Sequence, residues 1–454
     1  TTGIRNVAIG YAALGSEDGH GRNVAVGWGT LANLNAGADG DNVAVGTQAG
    51  LQLQTGTHNT LIGSNAGDAL TTGAANVAVG FNALTTEDAN GTATAIGYRA
   101  LATLNAGAES YNVAVGYDAC LNMTTATNNT IVGGLAGDAM TTGGSNVAIG
   151  KSALSAQTIA NSNVAIGSSA MATNVAADRN VAVGANALNS MTAASTADHY
   201  NVAVGYNAGN SVTSGVQNTI MGGLAGDALT TGSENVALGY AALSSEDAHG
   251  QNVAVGHNAL ATLNAGANGL NTAVGYFAGL NMSTGIKNTI VGALAGDALT
   301  TGGENTAVGY AALSTEDANG RNVAVGGNAL RDLNAGANAL NTAVGYDAGL
   351  SMTTGIRNVV IGAHAGDALT TGNYNTAVGY QSLSDDDQGA FNTAMGYFAL
   401  ENYNDGVDNG HNTAIGAQSQ RNASTGEFNT SLGSLAMGVG VTTGNNNVAI
   451  GYRA

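Results

Sequence analysis

One short phrase sets the pattern of apolar and polar positions: Asn, then Val or Thr, Ala, Val or Ile, and Gly. It starts at Asn6, Asn23, Asn42, Asn59 and Asn76 and recurs to Asn447, in 25 Asn-led copies and one degenerate copy at Ala93. Most steps are 17 residues, as from Asn6 to Asn23, and the exceptions are about 18 to 21. In Asn252-Val253-Ala254-Val255-Gly256, a strand's two-residue period puts Val253 and Val255 on one face and Ala254 on the other. Neither face carries a charge, so each predicted strand wants burial on both sides. An Ala seven residues after the Asn (Ala49, Ala66, Ala259) and a Leu or Met eleven after it (Leu53, Met123, Leu263) supply the rest of a thin core. A 17-residue unit is too short for a helix pair and fits one coil of a solenoid. The predicted fold is all-β: a parallel β-solenoid, or β-roll, of about 26 coils. At about 4.8 Å per coil it would be a rod of roughly 125 Å.

A longer period overlies the short one. Asn6 to Asn76 and Asn76 to Asn146 each span 70 residues and four unlike coils. The first coil carries Ser16-Glu17-Asp18, the second Leu34-Asn35-Ala36-Gly37, the third ends in Thr55-Gly56, and the fourth reads Ala66-Gly67-Asp68-Ala69-Leu70. Residues 146–234 hold five coils, after which the period returns until it degrades beyond Asn375. We therefore read 1–454 as a single continuous repeat domain. The opening Thr1-Thr2-Gly3-Ile4-Arg5 matches Thr353–Arg357, the tail of a coil, which makes the chain an expected segment of a longer polypeptide.

Composition narrows the partners. The formal net charge is −19, with 30 acids against 11 bases, which argues against nucleic acid and anionic membrane. No run of about 18 apolar residues provides a membrane-inserting segment. Seventy Gly and no Pro, with Gly at fixed phase, mark corners rather than a linker or collagen. The single cysteine, Cys120, occupies a slot held by Gly209, Gly279 and Gly349 in sister coils and so excludes a disulfide within one chain.

Asn146-Val147-Ala148-Ile149-Gly150 and Asn163-Val164-Ala165-Ile166-Gly167 carry a resemblance. The chain resembles the head-domain repeats of YadA-like trimeric autotransporter adhesins and is similar to Asn-Thr-Ala-Ile-Gly repeats of bacteriophage tail fibres. The resemblance implies a left-handed roll, three chains side by side, on a cell or virion surface, with a host glycan or protein as receptor. The 17-residue coil is longer than the usual adhesin-head repeat, and the 70-residue unit lies outside that pattern.

The expected function is accordingly an extracellular or virion fibre shaft or head; the alternative is a structural filament without receptor. A polysaccharide-cleaving enzyme would need paired carboxylates at one place, whereas the acids here follow the repeat. An ice-binding face would need a Thr array on every coil, but Thr pairs favour the third and fourth types. The leading Asn is expected to form a stacked amide ladder. The Tyr after the strand Gly (Tyr98, Tyr117, Tyr276, Tyr346) is expected to cover a corner and bond through its hydroxyl rather than to stack on sugars. One cofactor is weighed, calcium. First-type coils place Glu246-Asp247, Glu316-Asp317 and Asp386-Asp387 one coil after Asp227, Asp297 and Asp367 respectively, and stacking would gather each set into a three-carboxylate cluster suited to Ca²⁺. The alternative is that these acids are solvent-exposed charge.

Overall fold

The computed structural model describes residues 4–192, 196–404, 406 and 409–454. Thr1–Gly3 of the opening tail lie outside them. The chain is a parallel β-solenoid of 26 turns with no helix among the described residues. It divides into units Thr1–Thr231 and Gly232–Ala454, each containing thirteen turns. Every turn contributes a three-residue strand at the predicted phrase, paired within each unit in register with the next: Val253 with Thr272, Ala254 with Ala273, Val255 with Val274. The central residue is buried in all but the first and last strands, and its neighbours are half-buried or exposed. The small Ala therefore faces the thin core, and the β-branched pair faces outward. Gly follows because the chain must turn where coils touch: Gly256 has φ +137°, and a Cβ there would lie 2.2 Å from the Gly275 carbonyl oxygen.

Stacking continues around the turn. Gly256 N–H donates to Leu238 O in the coil before, and Leu260 N–H donates to Ala278 O in the coil after. Leu260 sits at φ +50°, a left-handed conformation that bulky residues avoid, and its equivalents Leu31, Leu101 and Leu330 do the same. Burial of the leucine and the ladder bonds on both sides hold it there.

Core packing explains the four-coil period. Leu31, in a second-type coil, reaches over the third-type slot at Gly50, where a Cβ would meet Leu31 Cδ2 at 2.7 Å and Leu61 Cδ1 at 2.8 Å. Leu61 itself occupies the strand centre of the fourth coil, where most coils have Ala, and its counterparts are Ile131, Ile220, Ile290 and Val360, all fully buried. A large strand centre in one coil thus fills the space left by Gly in the same and the preceding coil. Removing the second, third or fourth type would disturb this filling. In residues 146–234 the added coil keeps the strands in register, from Val147 through Val164 and Val181 to Val202. A second, two-residue pairing joins Ala177–Asp178 to Ala197–Asp198. Beyond Asn375 the core becomes partly polar. Tyr403 takes a leucine slot, and Gln420 Nε2 donates to Ser431 Oγ at 2.9 Å and to Thr413 O at 3.1 Å inside the roll.

The expected amide ladder is present. Asn305 N–H donates to Asn288 Oδ1 (2.9 Å), Asn322 N–H to Asn305 Oδ1 (3.0 Å), and Asn288 Nδ2 to Gly302 O (2.9 Å). These amides are buried, so each bond satisfies a donor that water cannot reach. Ala93 breaks the ladder: its own N–H reaches Asn76 Oδ1, but Asn112 N–H, one coil on, has no acceptor among the described residues. The adjacent Ser110 fits this gap. In sister second-type coils the same position is Gly40 or Gly269, where a Cβ would fall 2.3 or 2.1 Å from the Asn Oδ1, although Ala339 shows that a methyl can be accommodated. Ala93→Asn combined with Ser110→Gly is expected to raise stability by about 1 kcal/mol, with a smaller gain for Ala93→Asn alone. Urea denaturation of the two variants and the parent measures both, and a double variant less stable than the parent would show that the gap is not a defect.

Candidate functional site in the acidic corner

The Glu of each first-type coil stands in the column that other coils fill with Leu or Met, and it is buried there. Glu17, Glu87, Glu246, Glu316 and Asp386 are at most 1% exposed, which overturns the reading of these acids as solvent-exposed charge. Their carboxylates accept bonds from the folded-back turn. Glu246 Oε1 accepts from His249 N–H (3.1 Å) and Oε2 from Ala265 N–H of the next coil (3.1 Å). Glu87 makes the equivalent bonds with Asn90 N–H and Ala106 N–H, both 3.2 Å. Asp386, one methylene shorter, accepts from Gly389 N–H (2.7 Å) and Asn392 Nδ2 (3.2 Å). A buried carboxylate is held here chiefly by backbone donors, and desolvation raises the Glu316 carboxyl above its ordinary pKa despite its bonds from the turn.

The second acids differ. The Asp247 and Asp317 side chains are exposed, Asp387 is half-buried, and the backbone carbonyl of Asp317 accepts from Thr300 N–H at 2.5 Å and Thr300 Oγ1 at 2.7 Å. Asp227, Asp297 and Asp367 are half-buried, each with an Oδ1 that is enclosed and lacks a hydrogen-bond partner. Burial raises all three carboxyls. His364 approaches Asp367 Oδ2 at 3.3 Å and the buried Asp347 at 3.7 Å.

Asp297 does not join Glu316 and Asp317 in a cluster, nor does Asp367 join Asp386 and Asp387. Among the described residues, the one group of three ligating side chains with atoms within 4.8 Å of one another is Glu246, Asp247 and His249. Asp227 is not part of it. Two of the nine predicted residues therefore converge, on a histidine outside the predicted set. The available signal was the four-residue text Glu-Asp-Ala-His, set against Glu-Asp-Ala-Asn at 87–90 and 316–319.

The aromatic stripes are built as stacks. Phe81, Tyr98 and Tyr117 lie with ring centroids 5.5 and 5.1 Å apart and nearly parallel. At the corner before the leading Asn, Tyr374, Phe391, His411 and Phe428 form a second column at 4.9, 4.7 and 4.8 Å. Within these two columns each ring face covers its neighbour and the rings present edges outward, whereas Tyr346 and Tyr380 meet His364 edge to face. The stripe tyrosines are exposed and, contrary to the expected hydroxyl bonding, their hydroxyls find no partner among the described residues. The Thr pairs also turn inward in function: Thr141 Oγ1 donates to Thr158 O, and Thr370 Oγ1 to Asp387 O. Cys120 is fully buried in its glycine slot, and desolvation pushes its thiol pKa up. No helix of the described residues is long and apolar enough to cross a membrane. Compared with models of known protein families and with curated proteins, the chain matches none, so functional argument rests on its own surfaces.

Proposed function

We propose that this chain is the repeat segment of an extracellular or virion-surface fibre, with a structural and surface-attachment role, and that it assembles as a left-handed homotrimer through the outward face of its strands. One observation carries the reading. In every turn of each unit the two outward strand residues are uncharged, chiefly Val, Thr or Ile with an occasional Met or Leu, and they are half-buried or exposed: Val45 and Ile361 at 37%, Met395 at 41%. The charges that make up the net −19 all lie outside the three-residue strands of the repeat phrase. An uncharged, largely apolar face of this kind marks a protein interface, and a second copy of the chain supplies the same uncharged face without opposing charges. The resemblance of the Asn-Val-Ala-Ile-Gly phrase to trimeric adhesin heads and phage fibres supports three copies and a surface location. The stacked Tyr and Phe columns favour a shaft over a glycan-binding head along these stripes. Light scattering of the intact chain tests the assembly: the expected mass is about three times the 44.3 kDa chain, and a monomer at micromolar concentration would remove the proposal.

A further inference from the structure

We propose that the corner formed by Glu246, Asp247 and His249 binds a divalent metal ion that accepts imidazole nitrogen, such as zinc. The three side chains project from one four-residue turn and bring a carboxylate oxygen each and a ring nitrogen within 4.8 Å of one another. His249 Nδ1 is enclosed, has no hydrogen-bond partner, and lies 3.5 Å from Glu246 Oε1. An imidazole nitrogen held against a carboxylate is a favourable place for a cation that binds both.

Charge points the same way. Glu246 is completely buried, its carboxylate lies 3.5 Å from the His249 ring nitrogen, and its burial is offset by two backbone N–H donors. A metal ion at the mouth of the corner would neutralise Glu246 and Asp247 together. The donor set selects the metal. Calcium requires six to eight oxygens, in the general case, and this corner concentrates few. Imidazole with carboxylates suits zinc, nickel or copper, with water completing the shell. Glu17-Asp18-Gly19-His20 repeats the text with Gly in the third place, but its ligating atoms do not converge to the same distance. One ion per chain is therefore expected.

The sister coils supply the variant that tests the site without risk to the fold. Asn90 and Asn319 stand where His249 stands, and their N–H groups make the same bond to the buried Glu at 3.2 Å. Isothermal titration of the intact chain with zinc chloride is expected to show one site per chain, weakened at least about tenfold in His249→Asn. It should be unchanged in His257→Tyr, which places the sister-coil residue at an exposed histidine of the aromatic stripe, and calcium chloride should give no matching signal. Circular dichroism and the melting temperature confirm that each variant is folded. Zinc affinity that is equal in His249→Asn and the parent, loss of binding in His257→Tyr, or no zinc bound to the parent would each overturn the proposal.

Discussion

Lysine at Val255 or Val325 is expected to dissociate the proposed trimer while leaving each chain folded. Both residues are half-buried on the outward strand face of the second unit, so in an isolated chain a lysine stem can lie along the surface with its ammonium in water. Packed against a second copy, the same ammonium would be buried without a counter-charge, because no acid occurs on the outward strand positions. An uncompensated buried charge costs about 3–5 kcal/mol, and a symmetric assembly meets that cost at every copy. Val253→Thr is the control: Thr272 and Thr306 already occupy that column in neighbouring turns, so assembly should be unaffected. Sedimentation velocity reads both outcomes. A lysine variant that sediments like the parent would place the interface elsewhere.

Acidification from neutral pH toward about 4 is expected to stabilise the fold, the reverse of common acid denaturation. Asp68, Asp138, Asp227, Asp297, Asp367, Asp385 and Glu316 all have their pKa raised, with desolvation the largest cause in each. A carboxyl whose pKa is higher folded than unfolded binds more protons in the folded state through the window between the two values. Stability therefore rises as the pH falls through the folded values, and the gain is complete below the ordinary values of 3.8 for Asp and 4.5 for Glu. Enclosed Asp oxygens without partners, as at Asp227 and Asp297, become able to carry a proton in place of a buried charge. Relief of the −19 self-repulsion adds to the same trend. Melting temperatures recorded at several pH values at constant ionic strength should climb toward acid, and Glu316→Gln should flatten the climb. A falling melting temperature over pH 7 to 5 would show that other groups dominate.

The repeat phrase was legible because its signals are local. Alternation at Val253-Ala254-Val255 specifies a strand, a Gly after it specifies a turn, and the return of both every 17 residues specifies coils that stack in register. The Asn ladder followed for the same reason, since identical amides one coil apart can bond only to each other or to the turn between them. Even the break at Ala93 was visible as a missing letter.

The acidic corner was not legible in this way. Counting placed Glu316 and Asp297 one coil apart and therefore close, but coil separation fixes only the distance along the stack. Around the coil, Glu316 turns into the core column of Leu263 and Leu299 while Asp297 lies two positions earlier and points aside. The donors that make burial of a glutamate tolerable, such as His249 N–H and Ala265 N–H, are backbone groups with no signature in the residue names. The stacking of Phe81, Tyr98 and Tyr117 face to face likewise depends on ring orientation.

The 70-residue period shows the division most plainly. That four coil types recur in fixed order is a property of the residues as written, as are the strand phase, the glycine corners and the uncharged outward face. What the order of the second, third and fourth types does in packing depends on Leu31 and Leu61 both closing on Gly50, an arrangement of residues from three successive coils. Side-chain volume is conserved across the stack rather than within a coil, so only the packed solenoid decides which leucine fills which glycine's space, and which glutamate is left to fill a leucine's.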